Sequence, residues 1–458
     1  MENSLLKDLR SILPEGSILA GEEAVICYGS DATRLPGRPD AVVRPDNIPQ
    51  VAEIIRLAAS HGTPVVPRGA GTGLSGGCVP HSGGIVISTE RLNRITEIDP
   101  IDRQAAVEPG VITAKLHEAV EAVGLFYPPD PASFKASTMG GNLAENSGGL
   151  RGLKYGVTRD YVMELSVVLP SGKTIKAGGR TLKNVTGYDM ARLFVGSEGT
   201  LGFITGAVVK LIPKPEAKAA FLAGYATLEA ASEAVVAIIR AGVTPSTLEI
   251  LDDITIKAVN DYQGRDGGAD CGALLLAEVD GTGADVAKQS ERLEAALGGS
   301  GPLYMRKASD AAEHESLWSA RRSALSALAR VSPSVILEDA TVPRKRLPDM
   351  ARAVRKVADK YGLPIGTFGH AGDGNLHPTI ITDMRVEENR HRVEAAVSEI
   401  FSAALSLGGT LSGEHGIGLA KAAFMEHELG EAGVGAMKAV KRALDPAWIM
   451  NPGKIFLE

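Results

Sequence analysis

The segment GHAGDGNLHP, from Gly369 to Pro378, sets two imidazoles, His370 and His377, seven residues apart on glycine-rich backbone. A second glycine-rich segment, GGTLSGEHGIGLAK, carries Glu414 and His415 side by side. Two imidazoles and one carboxylate, His370, His377 and Glu414, are a common ligand set for a divalent ion that leaves coordination positions open for substrate. The plainer reading is two hydrogen-bonded loop histidines and a surface Glu–His pair, since no local zinc motif such as H-E-x-x-H is present. Spacing alone leaves both open, but it constrains the backbone. The glycines and Pro378 disfavour a helix. On one regular strand an offset of seven points the two rings to opposite faces. For the rings to converge, the chain must loop between them.

With 458 residues the chain exceeds a single core, so two or three domains are expected. Hydrophobic residues at 44% and charged residues at 22% fit a globular protein, and a net charge of −7 gives no footprint for nucleic acid. Apolar runs such as AVVAII fall far short of the about 18 residues that span a bilayer. The opening MENSLLKDLR lacks the basic and apolar regions of a signal peptide. The expected location is cytoplasmic, compatible with peripheral contact at the inner face of a membrane. Three scattered cysteines, Cys27, Cys78 and Cys271, fit a reducing compartment, and without C-x-x-C the chain builds no iron–sulfur cluster of its own. Its 53 glycines gather in a few stretches, which points to backbone held close to a ligand.

The first half alternates helices and strands. NIPQVAEIIRLAASHG reads as a helix capped by Asn47 and stopped by Gly62; TAKLHEAVEAVG reads as another, with Thr113 as cap. ELSVVLPSGKTIKAG is a hairpin turning at Ser171-Gly172. The proline-rich LIPKPEAK marks a boundary, and strand–helix–strand, strand–helix patterns beyond it fit a ferredoxin-like sandwich. The expected division is residues 1–215, 216–420 carrying the metal site, and a C-terminal segment, 421–458, returning to the first domain.

Gly71, Gly73 and Gly76 in GTGLSG match the dinucleotide fingerprint G-x-G-x-x-G after a strand, but GCVPHSGGIVIS follows where that fingerprint needs a helix. The better reading is a strand–loop–strand whose backbone N–H groups form an anion nest. This loop is the first of three long motifs. PPDPASFKASTMGGNLAENSGGLRGLKYG and NVTGYDMARLFVGSEGTLGFIT follow in order. Together they resemble the flavin-contacting stretches of the vanillyl-alcohol-oxidase (PCMH-type) FAD family, in its D-2-hydroxyacid dehydrogenase branch, and the likeness runs from about residue 35 to NPGKIF.

The resemblance implies an α+β fold: a two-lobed PCMH-type FAD-binding domain, a ferredoxin-like cap and a short helical C-terminal segment. It implies that Arg68, Gly69, Ala70, Gly71, Thr72, Gly73 and Ser75 cradle the pyrophosphate. Pro131, Ser137, Thr138, Gly141, Asn142, Ser147, Gly148 and Gly149 would line the flavin and ribityl side, followed by Tyr155 and Gly156. Glu198, Gly199, Gly202 and Ile204 would line the adenine and diphosphate region, with Asn451 returning to the isoalloxazine. The loop has no His before Pro80, and Cys78 lies past it, so FAD is expected to be non-covalent.

The resemblance also makes His370, His377 and Glu414 ligands of one divalent metal (Zn, Mn or Fe) and His415 the base. A 2-hydroxy acid would chelate the metal, lose its hydroxyl proton to His415, and pass hydride to flavin N5. Its carboxylate calls for a guanidinium. The W-x-x-R pattern of the family the chain resembles matches Trp318 and Arg321, which implies Arg321 and leaves Arg322 to pair with Glu315 on the helix surface. The expected substrate is glycolate or D-lactate. D-2-hydroxyglutarate is the alternative, disfavoured by apolar Leu337 where a basic residue would hold a second carboxylate. A non-catalytic flavin subunit of a glycolate-oxidase-type complex is another. Reduced flavin would pass its electrons to a separate protein, an iron–sulfur subunit included, or to a quinone, and homo- or hetero-oligomers are compatible with this.

Overall fold

The Asn47 side chain accepts a hydrogen bond from the Gln50 N–H at 3.0 Å and opens the helix Ile48–Ser60, which ends before Gly62 at φ 60°. Its buried face, Val51, Ile54, Ile55 and Ala58, shares a core with Val43, Val65, Ile85 and Ile87. Those residues belong to a four-stranded sheet ordered Ile18–Ala20, Ala41–Val43, Ile85–Ser88, Val65–Arg68. The computed structural model describes residues 4–264 and 271–457 and divides into two compact units. The first unit is Met1–Gly148, Val157–Lys214 and Glu414–Glu458; the second is Gly149–Gly156 and Pro215–Gly413.

Beside its four-stranded sheet the first unit has a five-stranded antiparallel one, ordered Ile95–Asp99, Gln104–Val107, Phe203–Lys210, Val162–Val168, Thr174–Gly178. The last two strands form the expected hairpin, with Gly172 at φ 78° in its turn. The helix Thr113–Glu121 departs from expectation at its start. Ile112, not Thr113, occupies the cap position, because the Thr113 hydroxyl is engaged across the fold: it donates to Ser137 O at 3.1 Å and accepts from Asn142 Nδ2 at 2.7 Å. The C-terminal chain belongs to this unit. Val65 N–H donates to Ile449 O at 2.8 Å, and Asn451 N–H donates to Val65 O at 2.7 Å. Buried Lys441 donates to Thr200 O at 2.6 Å and Met450 O at 2.7 Å.

The second unit is built on one large sheet. Its strands Tyr304–Lys307, Ala217–Tyr225, Ala273–Gly281 and Thr247–Asp252 lie in that order, and the helices Leu228–Arg240 and Gly283–Gly299 connect them as a ferredoxin-like sandwich does. The sheet then continues through Ile365–His370, Asn375–Thr382 and Ser334–Leu337. The ferredoxin-like half and the histidine segment are therefore one continuous surface, an arrangement that strand-by-strand reading does not foresee. The eight residues 149–156, expected within the span 1–215, group with this unit. Lys154 Nζ donates to Asp280 O at 2.6 Å, and the Tyr155 hydroxyl lies 2.9 Å from the Asp280 carboxylate.

Candidate functional site

The two histidines sit on a hairpin. Ile365–His370 pairs antiparallel with Asn375–Thr382, placing Phe368 opposite His377 and His370 opposite Asn375. Opposed residues share a face, as do residues two apart along a strand. His370, Phe368 and His377 therefore project together. The two imidazole centroids are 5.2 Å apart at 89°, and the Phe368 ring is 5.5 Å from that of His377. The turn requires glycine at 374: its φ is 90°, and a Cβ there would collide with Val342 O. Both imidazoles are buried, at 6% and 3% exposure, so hydrogen bonds or a bound cation must compensate them.

Two carboxylates missed by sequence reading serve these rings. Asp339, fully buried in the break between the strands Ser334–Leu337 and Ala340–Thr341, places Oδ1 3.3 Å from His377 Nδ1. Its Oδ2 accepts from Ser412 Oγ at 3.0 Å and from Gly413 N–H at 2.9 Å. The chain passes directly from that anchored glycine into Glu414 and His415. Glu249, on the strand Thr247–Asp252, accepts from His370 Nδ1 at 2.7 Å and from Arg321 Nε at 2.6 Å. Burial would push the Glu249 carboxyl up; the neighbouring His370 and Arg321 outweigh this and hold it below its ordinary value. The Arg321 guanidinium also lies over Phe368, 4.8 Å from the ring centroid, while Arg322 pairs with Glu315. The buried Asp339 carboxylate and His377 belong to a group of ligand atoms that could hold a metal ion, of which His370 is not a member, and imidazole with carboxylate suits a borderline divalent cation.

In the first unit the expected flavin stretches converge. No helix follows Val65–Arg68; residues 69–84 form a loop that leads into Ile85–Ser88, the strand–loop–strand arrangement. A Cβ at Gly69 would overlap Thr138 Oγ1, and one at Gly199 would lie 2.8 Å from the Pro67 side chain. Thr138 caps the helix Met139–Glu145 by accepting from Gly141 N–H at 3.2 Å. Pro131 O accepts from Phe134 N–H at 2.8 Å in the preceding turn, Ser137 O accepts from Thr113 N–H at 3.0 Å, and Ser147 O accepts from the Thr158 hydroxyl at 2.8 Å. Asn451, at φ 45°, donates through Nδ2 to Gly77 O at 2.8 Å and to Glu198 O at 2.6 Å. Its buried Oδ1 has no protein partner among the described residues, a vacant acceptor that suits a donor on a bound cofactor.

Glu198 is a buried anchor for a neighbouring loop. Its carboxylate accepts from the Ile417 and Gly418 N–H groups, both at 2.7 Å, and so fixes the loop that begins at His415. Burial pushes that carboxyl up against these two donors. The same loop is held by the Leu419 and Ala420 N–H groups donating to Ser75 O at 2.9 and 3.0 Å. Gly148 lacks a side chain where Glu414 lies: a Cβ would be 2.9 Å from Glu414 Oε2. Of the remaining flavin-lining expectations, Gly202 and Ile204 sit at and beside the start of Phe203–Lys210, whereas Gly149, Tyr155 and Gly156 belong to the second unit. Cys78 is partly buried, with its Sγ 3.2 Å from Arg68 Nη1, and desolvation pushes its thiol up to about 11.

Two family matches cover most of the chain: the FAD binding domain over residues 39–178 and the C-terminal domain of FAD linked oxidases over residues 214–455. The chain belongs to the FAD-linked oxidase family and is an FAD-dependent oxidoreductase. It is 50% identical over 432 residues to the glycolate oxidase subunit GlcD of Bacillus subtilis (strain 168), covering 94% of this chain and 92% of that one. It is 33% identical over 468 residues to a D-lactate dehydrogenase of Anaerostipes hadrus, covering 98% and 97%. Among solved structures, p-cresol methylhydroxylase with substrate bound superposes with a TM-score of 0.79 at 17% identity, over 100% of this chain and 97% of that one. This establishes the α+β PCMH-type fold. Among the described residues no helix is long and apolar enough to cross a membrane.

Proposed function

We propose that the protein oxidises a small 2-hydroxy acid, glycolate or D-lactate, to the 2-oxo acid. The observation that carries this reading is the shared face of His370, His377 and Phe368, with the Arg321 guanidinium stacked on Phe368. It offers metal-ligand chemistry and a carboxylate receptor on one wall. His370, His377 and Glu414 would hold the divalent ion, zinc, manganese or iron(II), and Asp339 joins them through its contact with His377. When bound, the cation lowers the pKa of the alcohol, and oxidised FAD supplies the acceptor for the Cα hydride.

The chain's own residues do the rest. Arg321 binds and orients the carboxylate through the guanidinium nitrogens that Glu249 does not engage. His415, on the loop fixed by Glu198 and Ser75, takes the hydroxyl proton. Leu337 lies opposite Thr379 in the strand pair and packs against the cluster that contains Phe368 and Trp318, so this strand offers an apolar side chain where relatives acting on the diacid would place a basic one. That supports a substrate with one carboxylate over D-2-hydroxyglutarate. As the relative's name "subunit" suggests, electrons would leave to a companion protein, an iron–sulfur subunit included, or to a quinone.

Anaerobic mixing with glycolate, D-lactate, L-lactate and D-2-hydroxyglutarate is the direct test. Flavin absorbance should bleach with glycolate or D-lactate and persist with L-lactate; no bleaching by any of the four defeats the proposal. FAD should also be non-covalent, since the loop has no His before Pro80 and Cys78 lies past it, with its thiol pushed up by desolvation. Acid precipitation should give a colourless pellet and a yellow supernatant. A yellow pellet would overturn this.

A further inference from the structure

Glu249 is a buried acid in the middle of a strand whose six residues are all buried. A carboxylate in such a place is costly unless its partners compensate it, and a well-packed apolar residue would serve the sheet as well or better. Its position is explained by what it joins. Thr247–Asp252 is the strand next to the histidine hairpin, with Ile250 opposite Gly369 and Leu251 opposite Phe368. One oxygen of Glu249 receives His370 and the other receives Arg321, at 2.7 and 2.6 Å. We infer that Glu249 is a positioning residue that couples the metal ligand His370 to the substrate-binding Arg321, fixing the tautomer of the first and the orientation of the second.

The inference rests on the proposed function and deepens it. A carboxylate only accepts, so His370 must carry its hydrogen on Nδ1, which leaves the Nε2 lone pair for a cation. Arg321 is constrained twice: Glu249 takes Nε–H, and the guanidinium carbon lies over the Phe368 ring, 4.8 Å from its centroid. Its terminal nitrogens are then presented as a fork for a carboxylate. One side chain thereby sets the relation between the groups that receive the two oxygen functions of a 2-hydroxy acid. This separates Glu249 from Asp339, which contacts His377 but anchors residues 412 and 413.

The test is Glu249→Gln in the full-length FAD-loaded protein, read in two ways that a purely structural ion pair would not move together. Zn(II) affinity, measured by chelator competition, should weaken about ten- to a hundredfold. KM for glycolate, or for D-lactate if that is the better substrate, should rise at least about tenfold, while the FAD-to-protein ratio stays unchanged. Glu249→Asp keeps the charge but is too short to reach both partners. It should show the same two effects and serves if the glutamine variant is insoluble. A variant that keeps FAD and retains wild-type Zn(II) affinity and KM overturns the inference, whatever its thermal stability. Wild-type protein that binds no metal, or that no hydroxy acid reduces, overturns the proposed function instead, so the two failures are distinguishable.

Discussion

Flavin reduction by the preferred hydroxy acid is expected to fall by about 10²- to 10⁴-fold in His415→Ala, the usual worth of a positioned general base. The oxidised FAD spectrum should be unaltered. The expectation rests on how the loop is built. Glu198 and Ser75 hold residues 417–420 through backbone N–H groups, so deleting the His415 side chain leaves the loop's fixings intact. The substrate hydroxyl then lacks a proton acceptor, while the flavin stretches of the first unit are untouched. Stopped-flow bleaching at saturating substrate checks this. A variant that reduces its flavin at the wild-type rate would remove His415 from the mechanism.

The second large effect is expected from replacing His370 and His377 together by alanine. Bound divalent metal should disappear, and turnover should fall by at least about a thousandfold, because an alcohol is a poor proton donor at neutral pH without a cation to acidify it. FAD should remain, since the stretches expected to line the flavin, other than residues 149–156, lie in the first unit and both histidines in the second. Elemental analysis and flavin absorbance on the same sample separate metal loss from unfolding. Removing two buried rings will also lower stability, so FAD content is the control. A metal-free double variant with full activity would end the metal reading.

Much of this was legible before any coordinates. The glycine loop after Val65–Arg68, with no helix behind it, disfavours a dinucleotide fingerprint, and three ordered motifs resemble those of a flavin family. Glycine content and the odd offset require a turn between His370 and His377 if the rings are to converge, and the hairpin has that turn. Arg321 was separated from Arg322 by a pattern, and the structure pairs Arg322 with Glu315 on the surface. Two residues escaped. Glu249 in STLEIL looks like the solvent-facing member of an alternating strand, and nothing local reveals that both faces are covered. Asp339 offered a weak signal, an acidic pair interrupting an apolar strand.

The sequence by itself determined most of the elements, because caps, turn glycines and hydrophobic periods are local, and the cofactor class followed from the resemblance of three ordered motifs to a flavin family. Only the tertiary structure decided which polar groups meet. The register of Thr247–Asp252 against the hairpin brings Glu249 to His370, and the packing of the helix Ala311–Arg322 brings Arg321 to the same carboxylate. Those contacts join residues 72 to 121 positions apart. They are chosen by how one sheet extends and what covers its face, which no short stretch of chain encodes.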